Sequence, residues 1–507
     1  MLVLAMAVVF SHASTSSAGE AAALASALDS ISSESLRDHA AVLANDTFEG
    51  REAGSRGGHA AAGYIVQQLK KHELKPGGPS GSFFQGFGSQ YRNILATLEG
   101  SDPELKDEVI IVGAHYDHVG YGTSRNSYGP TGFIHNGADD NASGTSGLLE
   151  VIEALARFAP RSKRTILFGF WDAEEKGLLG SKHWTVNPTV PLAKVKLAIN
   201  MDMIGRLRRP LEISGSRTRV GLRQLVSRAN ELADTPLEFP WKLESNSDHY
   251  SFYEKQIPIL QIHSGLHDDY HRPSDDVEKL NLDGMRHVSR FVCGLVHDLA
   301  NEPSPPGFRQ AQNRESVANQ RAIEQPIAAP RPRLGVRWST DGEPGLVVTE
   351  VDRGSPAANA GVRIGDRLLK FGGHELTPNI DFRALVLVSK NPVAVTLART
   401  GEEAPVDMTL ELVGDPVRWG VAWHEDEAEP GTVVLVQVVP SSPAEKAGLR
   451  LGDRILDVAG QTFTSDEQFM QIVQDTGDRL ELLSERQGRL RRVTLELPKF
   501  DVQQGAE

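Results

Sequence analysis

Four runs in the first 300 residues are almost continuously apolar: Val109-Ile-Ile-Val-Gly-Ala114, Thr165-Ile-Leu-Phe-Gly-Phe-Trp171, Lys196-Leu-Ala-Ile-Asn-Met201 and Ile257-Pro-Ile-Leu-Gln-Ile262. Between them the apolar residues recur at helical spacing. Strands that read this way are covered on both faces, so residues 21–300 are expected to form an α/β domain with a mixed, mostly parallel sheet flanked by helices. The stretch from Asn301-Glu-Pro-Ser-Pro-Pro-Gly307 to Pro332 is polar and punctuated by proline, which predicts a linker over residues 301–330.

The rest of the chain is a repeat. Leu334-Gly-Val336, Gly354-Ser-Pro-Ala-Ala358 and Ala360-Gly-Val-Arg-Ile-Gly-Asp-Arg-Leu-Leu369 recur as Trp419-Gly-Val421, Ser441-Ser-Pro-Ala444 and Ala447-Gly-Leu-Arg-Leu-Gly-Asp-Arg-Ile-Leu456. Short Val/Leu strands around each copy predict two small β/α domains, over residues 331–413 and 416–499, each with its own core.

At the other end, the apolar run Leu2 to Phe10 is followed by small residues ending in Ser-Ser-Ala18. This pattern predicts a signal peptide over residues 1–18 and therefore an exported protein, periplasmic or extracellular. The run is too short to span a bilayer, and no other segment is long and apolar enough for a membrane span. A net charge of −14 without a basic cluster argues against a nucleic-acid partner. The single cysteine, Cys293, lies in an apolar helical pattern and is expected to be a buried small hydrophobe.

The chemistry gathers where strands end. The first strand runs into His115-Tyr-Asp117-His118, the second into Asp172-Ala-Glu174-Glu175 and the third into Asp202, while the fourth leads through a loop to Tyr270-His271. In open α/β sheets ligands bind beyond the carboxyl ends of the strands. One more acidic stretch, His135-Asn-Gly-Ala-Asp-Asp-Asn-Ala-Ser-Gly144, precedes an apolar run and admits three readings. Asp139, Asn141, Ser143, Gly144 and Glu150 fit positions of a calcium-binding EF-hand loop, but the Gly-rich segment before them cannot supply the required entering helix, and Ser146 occupies an apolar position. Asn141 or Ser143 can cap a helix starting near Ala142. Asp140 can also join His115, Glu175, Asp202 and His271 in a set of two imidazoles and three carboxylates, which suits two zinc ions if one carboxylate bridges them.

These motifs together resemble the zinc aminopeptidase family M28, over residues from about Leu36 to Leu280. The matching stretches are Ala114-His-Tyr-Asp-His118, Asn136 to Gly144, Trp171-Asp-Ala-Glu-Glu-Lys-Gly177, Asn200-Met-Asp-Met-Ile-Gly205 and Tyr270-His-Arg-Pro-Ser-Asp275. The resemblance implies two Zn2+ per chain, with Asp140 bridging, His115 and Asp202 on one ion, and Glu175 and His271 on the other. It further implies Glu174 as general base, Asp117 as the carboxylate that orients His115, and Tyr270 as a donor to the oxyanion. His118, His135, His249, His263 and His267 have no metal role in the matched pattern and are expected to be structural or at the surface. The substrates implied are peptides or proteins with a free N-terminus. The same fold and metals also serve carboxypeptidase, amidohydrolase and glutaminyl-cyclase-like chemistry, and a degenerate peptidase could survive as a non-catalytic scaffold. No Gly-x-Ser-x-Gly elbow offers an alternative nucleophile.

The repeats resemble PDZ domains of periplasmic proteases. That resemblance implies that Leu334-Gly335-Val336 and Trp419-Gly420-Val421 receive the C-terminus of a peptide while the peptide adds a strand to the sheet. The two Gly-Asp-Arg segments are expected to be structural.

Overall fold

The computed structural model describes residues 18–328, 331–475 and 477–496. The leader expected over residues 1–18 lies, except for Ala18, outside the described residues. The chain divides between Arg314 and Glu315 into two compact units, with Gln487–Arg489 grouped with the first.

The first unit contains α1 (Ala18–Ser30), α2 (Ser33–Leu43), α3 (Arg56–Lys71), β1 (Lys75–Pro76), β2 (Phe84–Phe87), β3 (Tyr91–Leu98), β4 (Val109–His115), α4 (Gly144–Arg157), β5 (Thr165–Trp171), α5 (Leu179–Val186), β6 (Val195–Met201), β7 (Leu211–Ser214), α6 (Leu222–Ala229), β8 (Leu237–Glu238), α7 (His249–Tyr253), β9 (Ile259–His263) and α8 (Leu282–Asn301). The sheet order is β1-β3-β5-β4-β6-β9-β7-β8, with β2 beside β3. Its central strands β5, β4, β6 and β9 are parallel, while β3 and β7 join antiparallel on either side. The mixed sheet is thus the one expected, with its parallel part at the centre.

Successive residues of a strand point to opposite faces, and β4 shows what that means here. Ile110, Val112 and Ala114 enter one core with residues of α1 to α4 and α8, whereas Val109 and Ile111 enter another with Trp171, Trp184 and Phe252. All seven residues of β4 are buried, so the strand has no polar face and reads as one apolar run. Cys293 is fully buried in α8, and burial pushes its thiol up to about 12.

The second unit begins with α9 (Val317–Glu324), which carries a capping box between Ser316 and Asn319. The first repeat follows as β10 (Val336–Ser339), β11 (Leu346–Val351), α10 (Pro356–Asn359), β12 (Arg367–Phe371), β13 (His374–Glu375), α11 (Phe382–Val388), β14 (Val393–Ala398) and β15 (Val406–Leu410). The second contains β16 (Val421–Glu425), β17 (Val433–Val438), α12 (Pro443–Lys446), β18 (Arg454–Val458), α13 (Asp466–Asp475), β19 (Arg479–Arg486) and β20 (Arg489–Glu496). Each repeat has its own sheet and its own hydrophobic core.

The Gly-Asp-Arg segments are structural in both repeats. Asp366 accepts hydrogen bonds from Arg399 and from the Arg363 N–H, and Asp453 accepts the same pair from Arg486 and the Arg450 N–H. The loop glycines also correspond. Gly335 and Gly420 have positive φ, and a Cβ on either would fall within 2.3 Å of the Cβ of Ser355 or Ser442. The segment expected as a linker over residues 301–330 is only partly one. After α9, the Ile327 N–H donates to Val436 O and Gln437 donates to Ala328 O, so its second half is fastened to β17. Its polar composition hid this, because backbone hydrogen bonds leave little trace in side-chain pattern.

Candidate active site

Parallel strands end on the same side of the sheet, and here three of them deliver charge to one place. β4 ends in His115, β5 leads through Asp172 and Ala173 to Glu174 and Glu175, and β6 leads directly to Asp202. His271 arrives on the turn after β9, and Asp140 on the irregular turn Ala138–Ser143 before α4. The helix begins at Gly144, two residues later than expected. Of the two expected caps it is Asn141 whose Oδ1 accepts the Gly144 N–H, while Ser143 Oγ turns back to Asp139. The element directly before this turn is β4, not a helix, so the EF-hand geometry is absent here.

Asp140 sits between two groups of donors. Its Oδ1 is 3.4 Å from His115 Nε2, and its Oδ2 is 3.0 Å from His271 Nε2. On one side His115 Nε2 lies 3.3 Å from Asp202 Oδ1, with Glu174 in the same group. On the other, His271 Nε2 lies 3.1 Å from Glu175 Oε2. His118 also belongs to this second group, with Nδ1 2.8 Å from Glu175 Oε1. The matched pattern gave it no metal role, and the segment after β4, bridged to Glu52 at His118, places it beside Glu175. Its place three residues after His115 was the available signal.

The imidazoles are oriented by backbone carbonyls. His115 Nδ1 donates to Asp117 O at 3.2 Å and His271 Nδ1 donates to Asn126 O at 2.9 Å, which leaves each Nε2 facing the carboxylates. The expected role of Asp117 therefore needs correcting. Its carboxylate is 3.9 Å from His115 Nδ1, too far for a hydrogen bond, and its Oδ1 instead accepts the Glu174 N–H at 3.0 Å. It is the main chain of Asp117, not its side chain, that lies against the imidazole.

Burial and mutual repulsion govern the protonation of the cluster. Burial pushes Glu174 well above the usual carboxylate range, with His115 opposing and Glu175 reinforcing the shift. Burial would also raise Glu175, yet His118 and His271 hold it well below that range. For His271, burial pulls downward while Asp140 and Glu175 push it up to about 11. Tyr270 is stacked on His271 with ring centroids 4.0 Å apart, and burial together with the carboxylates Asp140, Glu175, Asp202 and Glu174 keeps its phenol protonated.

This donor set fits zinc. Carboxylate oxygens and imidazole nitrogens converge at about 3 Å, with His271 Nε2 within 3.1 Å of both Asp140 and Glu175 and His118 Nδ1 2.8 Å from Glu175. A cation can satisfy such a set in place of protons.

Two residues that hold the site escaped the sequence reading. Asp275 Oδ2 accepts the N–H groups of both Asp139 and Asp140, at 2.9 and 3.1 Å. Burial and the neighbouring Asp139 push the Asp275 carboxyl up to about 7. Arg51 is 1% exposed and donates to the carbonyls of Leu43, Tyr116, Asn136 and Gly137. Burial lowers its guanidinium to about 10, opposed by Asp140, Asp117, Asp275 and Glu175. The other histidines remain outside the cluster as expected: His135 bonds Ser127 Oγ and Phe133 O, His249 bonds Glu244 O, His263 accepts from Gly265 N, and His267 faces Asp139. Beside the cluster opens a cavity of about 540 Å³, lined by Tyr128, Leu266, His267, Asp268, Tyr270 and Arg272.

The profile of peptidase family M28 matches residues 93–296, a span that includes every residue of this cluster. These residues are a peptidase family M28 domain. PDZ domain profiles match residues 347–398 and 434–486, one in each repeat. The chain is 26% identical over 331 residues to leupeptin-inactivating enzyme 1 of Streptomyces exfoliatus, covering 60% of this chain and 70% of the relative. It is 28% identical over 272 residues to a probable leucine aminopeptidase of Arthroderma otae, covering 51% of this chain and 70% of that protein. Among solved structures, the chain is similar to BSAP, a zinc aminopeptidase from Bacillus subtilis, with TM-score 0.44, 16% identity, and coverage of 55% of this chain and 98% of that one. Glutaminyl cyclase of Porphyromonas gingivalis gives a TM-score of 0.45 at 21% identity, covering 53% and 98%. Among the described residues no helix is long and apolar enough to cross a membrane.

Proposed function

We propose that this M28 protein is an exported aminopeptidase that uses two zinc ions to remove residues from the free N-termini of peptides. One observation carries the reading: Asp140 stands between a His115–Asp202 group and a Glu175–His271 group, with Glu174 beside them. His115 and Asp202 would hold one ion, Glu175 and His271 the other, and Asp140 both. His118, bonded to Glu175, would orient that ligand or join it. When bound, two zinc ions supply polarisation of the scissile carbonyl and acidification of water.

The chain supplies the rest. Glu174 accepts a proton on its carboxylate from the attacking water and returns it to the leaving amine nitrogen. Asp117 fixes the main chain of Glu174 through the 3.0 Å hydrogen bond to its N–H, so the base keeps its position during that exchange. Tyr270 donates from its phenol to the developing oxyanion. The cavity beside Tyr270 receives substrate side chains, and its Tyr128 and Leu266 favour apolar ones. The two PDZ domains bind peptide C-termini at Leu334–Val336 and Trp419–Val421, recruiting substrates or partners.

The test is Glu174→Gln. The variant is expected to retain two zinc ions by metal analysis and to lose at least about 1,000-fold in turnover of aminoacyl substrates. Persistent turnover would remove Glu174 from the mechanism. A parallel comparison of peptides with free and acetylated N-termini reads the activity itself, because only an aminopeptidase requires the free amine for hydrolysis. N-terminal sequencing of the mature protein reads export.

A further inference from the structure

The two repeats share one groove architecture and differ in its charge. β10 and β16 each lie at the end of their sheet, paired with β11 and β17. Val336 and Trp338 are two positions apart on β10, as are Val421 and Trp423 on β16, so each pair points to one face of its strand. In the first repeat Trp338 meets Phe382 of α11 edge-on, at 4.9 Å and 82°. In the second, Trp423 meets Phe469 of α13 at 4.9 Å and 75°. These aromatic pairs occupy the same place in the two repeats, so the residues that follow each phenylalanine also correspond.

Those residues are Arg383 and Met470. The Arg383 side chain is exposed, with its guanidinium carbon 5.6 Å from the centre of the Trp338 ring. Arg383 also donates to Ser441 Oγ, a neutral acceptor. The neighbouring carboxylate, Asp381, accepts hydrogen bonds from Lys446 and the Ala384 N–H and only attracts Arg383 through space. The cationic head of Arg383 is therefore held over the indole, next to the strand edge where a peptide would lie. The second repeat has no arginine at this place: Met470 is 37% exposed, and Trp423 Nε1 donates to the carboxylate of Asp466 at 2.6 Å.

Register then assigns a ligand position. A peptide that ends at the Leu334–Val336 loop and pairs with β10 brings its third residue from the C-terminus level with Trp338, two residues beyond Val336. We infer that the first repeat selects peptides bearing Asp or Glu at the third position from the C-terminus, through Arg383 held on Trp338, and that the second repeat does not. The inference rests on reading the repeats as binders of peptide C-termini.

Fluorescence anisotropy with the full-length protein tests it, using peptides labelled with fluorescein on the N-terminus, which also protects them from an aminopeptidase. One peptide ends in Glu-Ala-Val, a second in Lys-Ala-Val, and a third repeats the first with an amidated C-terminus. The Glu peptide is expected to bind about 5-fold more tightly than the Lys peptide, with the difference narrowing as salt rises. Arg383→Glu is expected to reverse that order, and Met470→Arg to strengthen binding of the Glu peptide. If neither free-carboxylate peptide binds, or if the amide binds equally well, the reading of the repeats as terminus binders falls. If both free-carboxylate peptides bind equally, or if Arg383→Glu leaves their order unchanged, only the selectivity inference falls.

Discussion

Asp275 accepts the backbone N–H of Asp140 at 3.1 Å, so one carboxylate holds in place the carboxylate that stands between the two donor groups. The same oxygen takes the Asp139 N–H, and both partners are buried. Asp275→Ala is expected to leave two buried N–H groups unsatisfied, at a cost of about 1–3 kcal/mol each. Denaturant unfolding should register the loss of stability, and competition with a chelator should show weaker zinc binding than in the parent. Unchanged zinc affinity would mean that Asp140 keeps its place without Asp275.

The loop that orients His271 depends on a glycine far from it in the chain. Gly122 has φ +67, and a Cβ there would come within 2.1 Å of the buried His135 ring. Gly122→Ala therefore forces the 120–136 loop to move, with strain of about 1–3 kcal/mol. Since Asn126 O of that loop holds His271 Nδ1, zinc affinity is expected to fall more than global stability does. Isothermal titration of zinc into the metal-free variant, beside its Tm, separates the two effects.

Metal removal should be felt as lost stability as well as lost activity. Asp140, Glu175 and Asp202 are packed with three imidazoles, and a ligand that binds only the folded state stabilises it by mass action. Chelation is expected to lower the Tm of the M28 unit by several degrees and to leave the transition of the PDZ unit in place. Differential scanning calorimetry with and without chelator reads both transitions.

The repeated ion pairs predict an acid-sensitive contribution. Burial would raise the Asp366 carboxyl, but hydrogen bonds from Arg399 and the Arg363 N–H hold it below its ordinary value. A carboxyl lowered in the folded state contributes stability above its unfolded pKa of about 3.9 and loses it as pH falls through the folded value. Asp366→Asn is therefore expected to cost about 1–3 kcal/mol at pH 7 and progressively less below about pH 4. Urea unfolding of parent and variant at both pH values gives the difference, and a cost independent of pH would detach it from the ion pair.

Much of this protein was legible before folding. β4, β5 and β6 are buried on both faces, so their apolar runs announced strands, and the residues that end them announced a site. The duplicated glycine loops and Gly-Asp-Arg turns announced two small domains, because backbone conformations that demand glycine and local side-chain pairs are written in neighbouring positions. His115, Glu175, Asp202 and, through a loop, His271 were legible in this way, Asp140 came from the acidic stretch before α4, and the structure brings the five together.

What the tertiary structure alone decided concerns direction and distant partners. Asp117 turned out to serve Glu174 through its carboxylate and His115 through its main chain, and His118 joined the cluster rather than the surrounding structure. Asp275, Arg51 and Asn126 act on residues 65 to 145 positions away. Periodicity and motif spacing carry information over one or two turns of chain. A hydrogen bond across a hundred residues depends on how the sheet and its loops pack, so these roles exist only once the chain has folded.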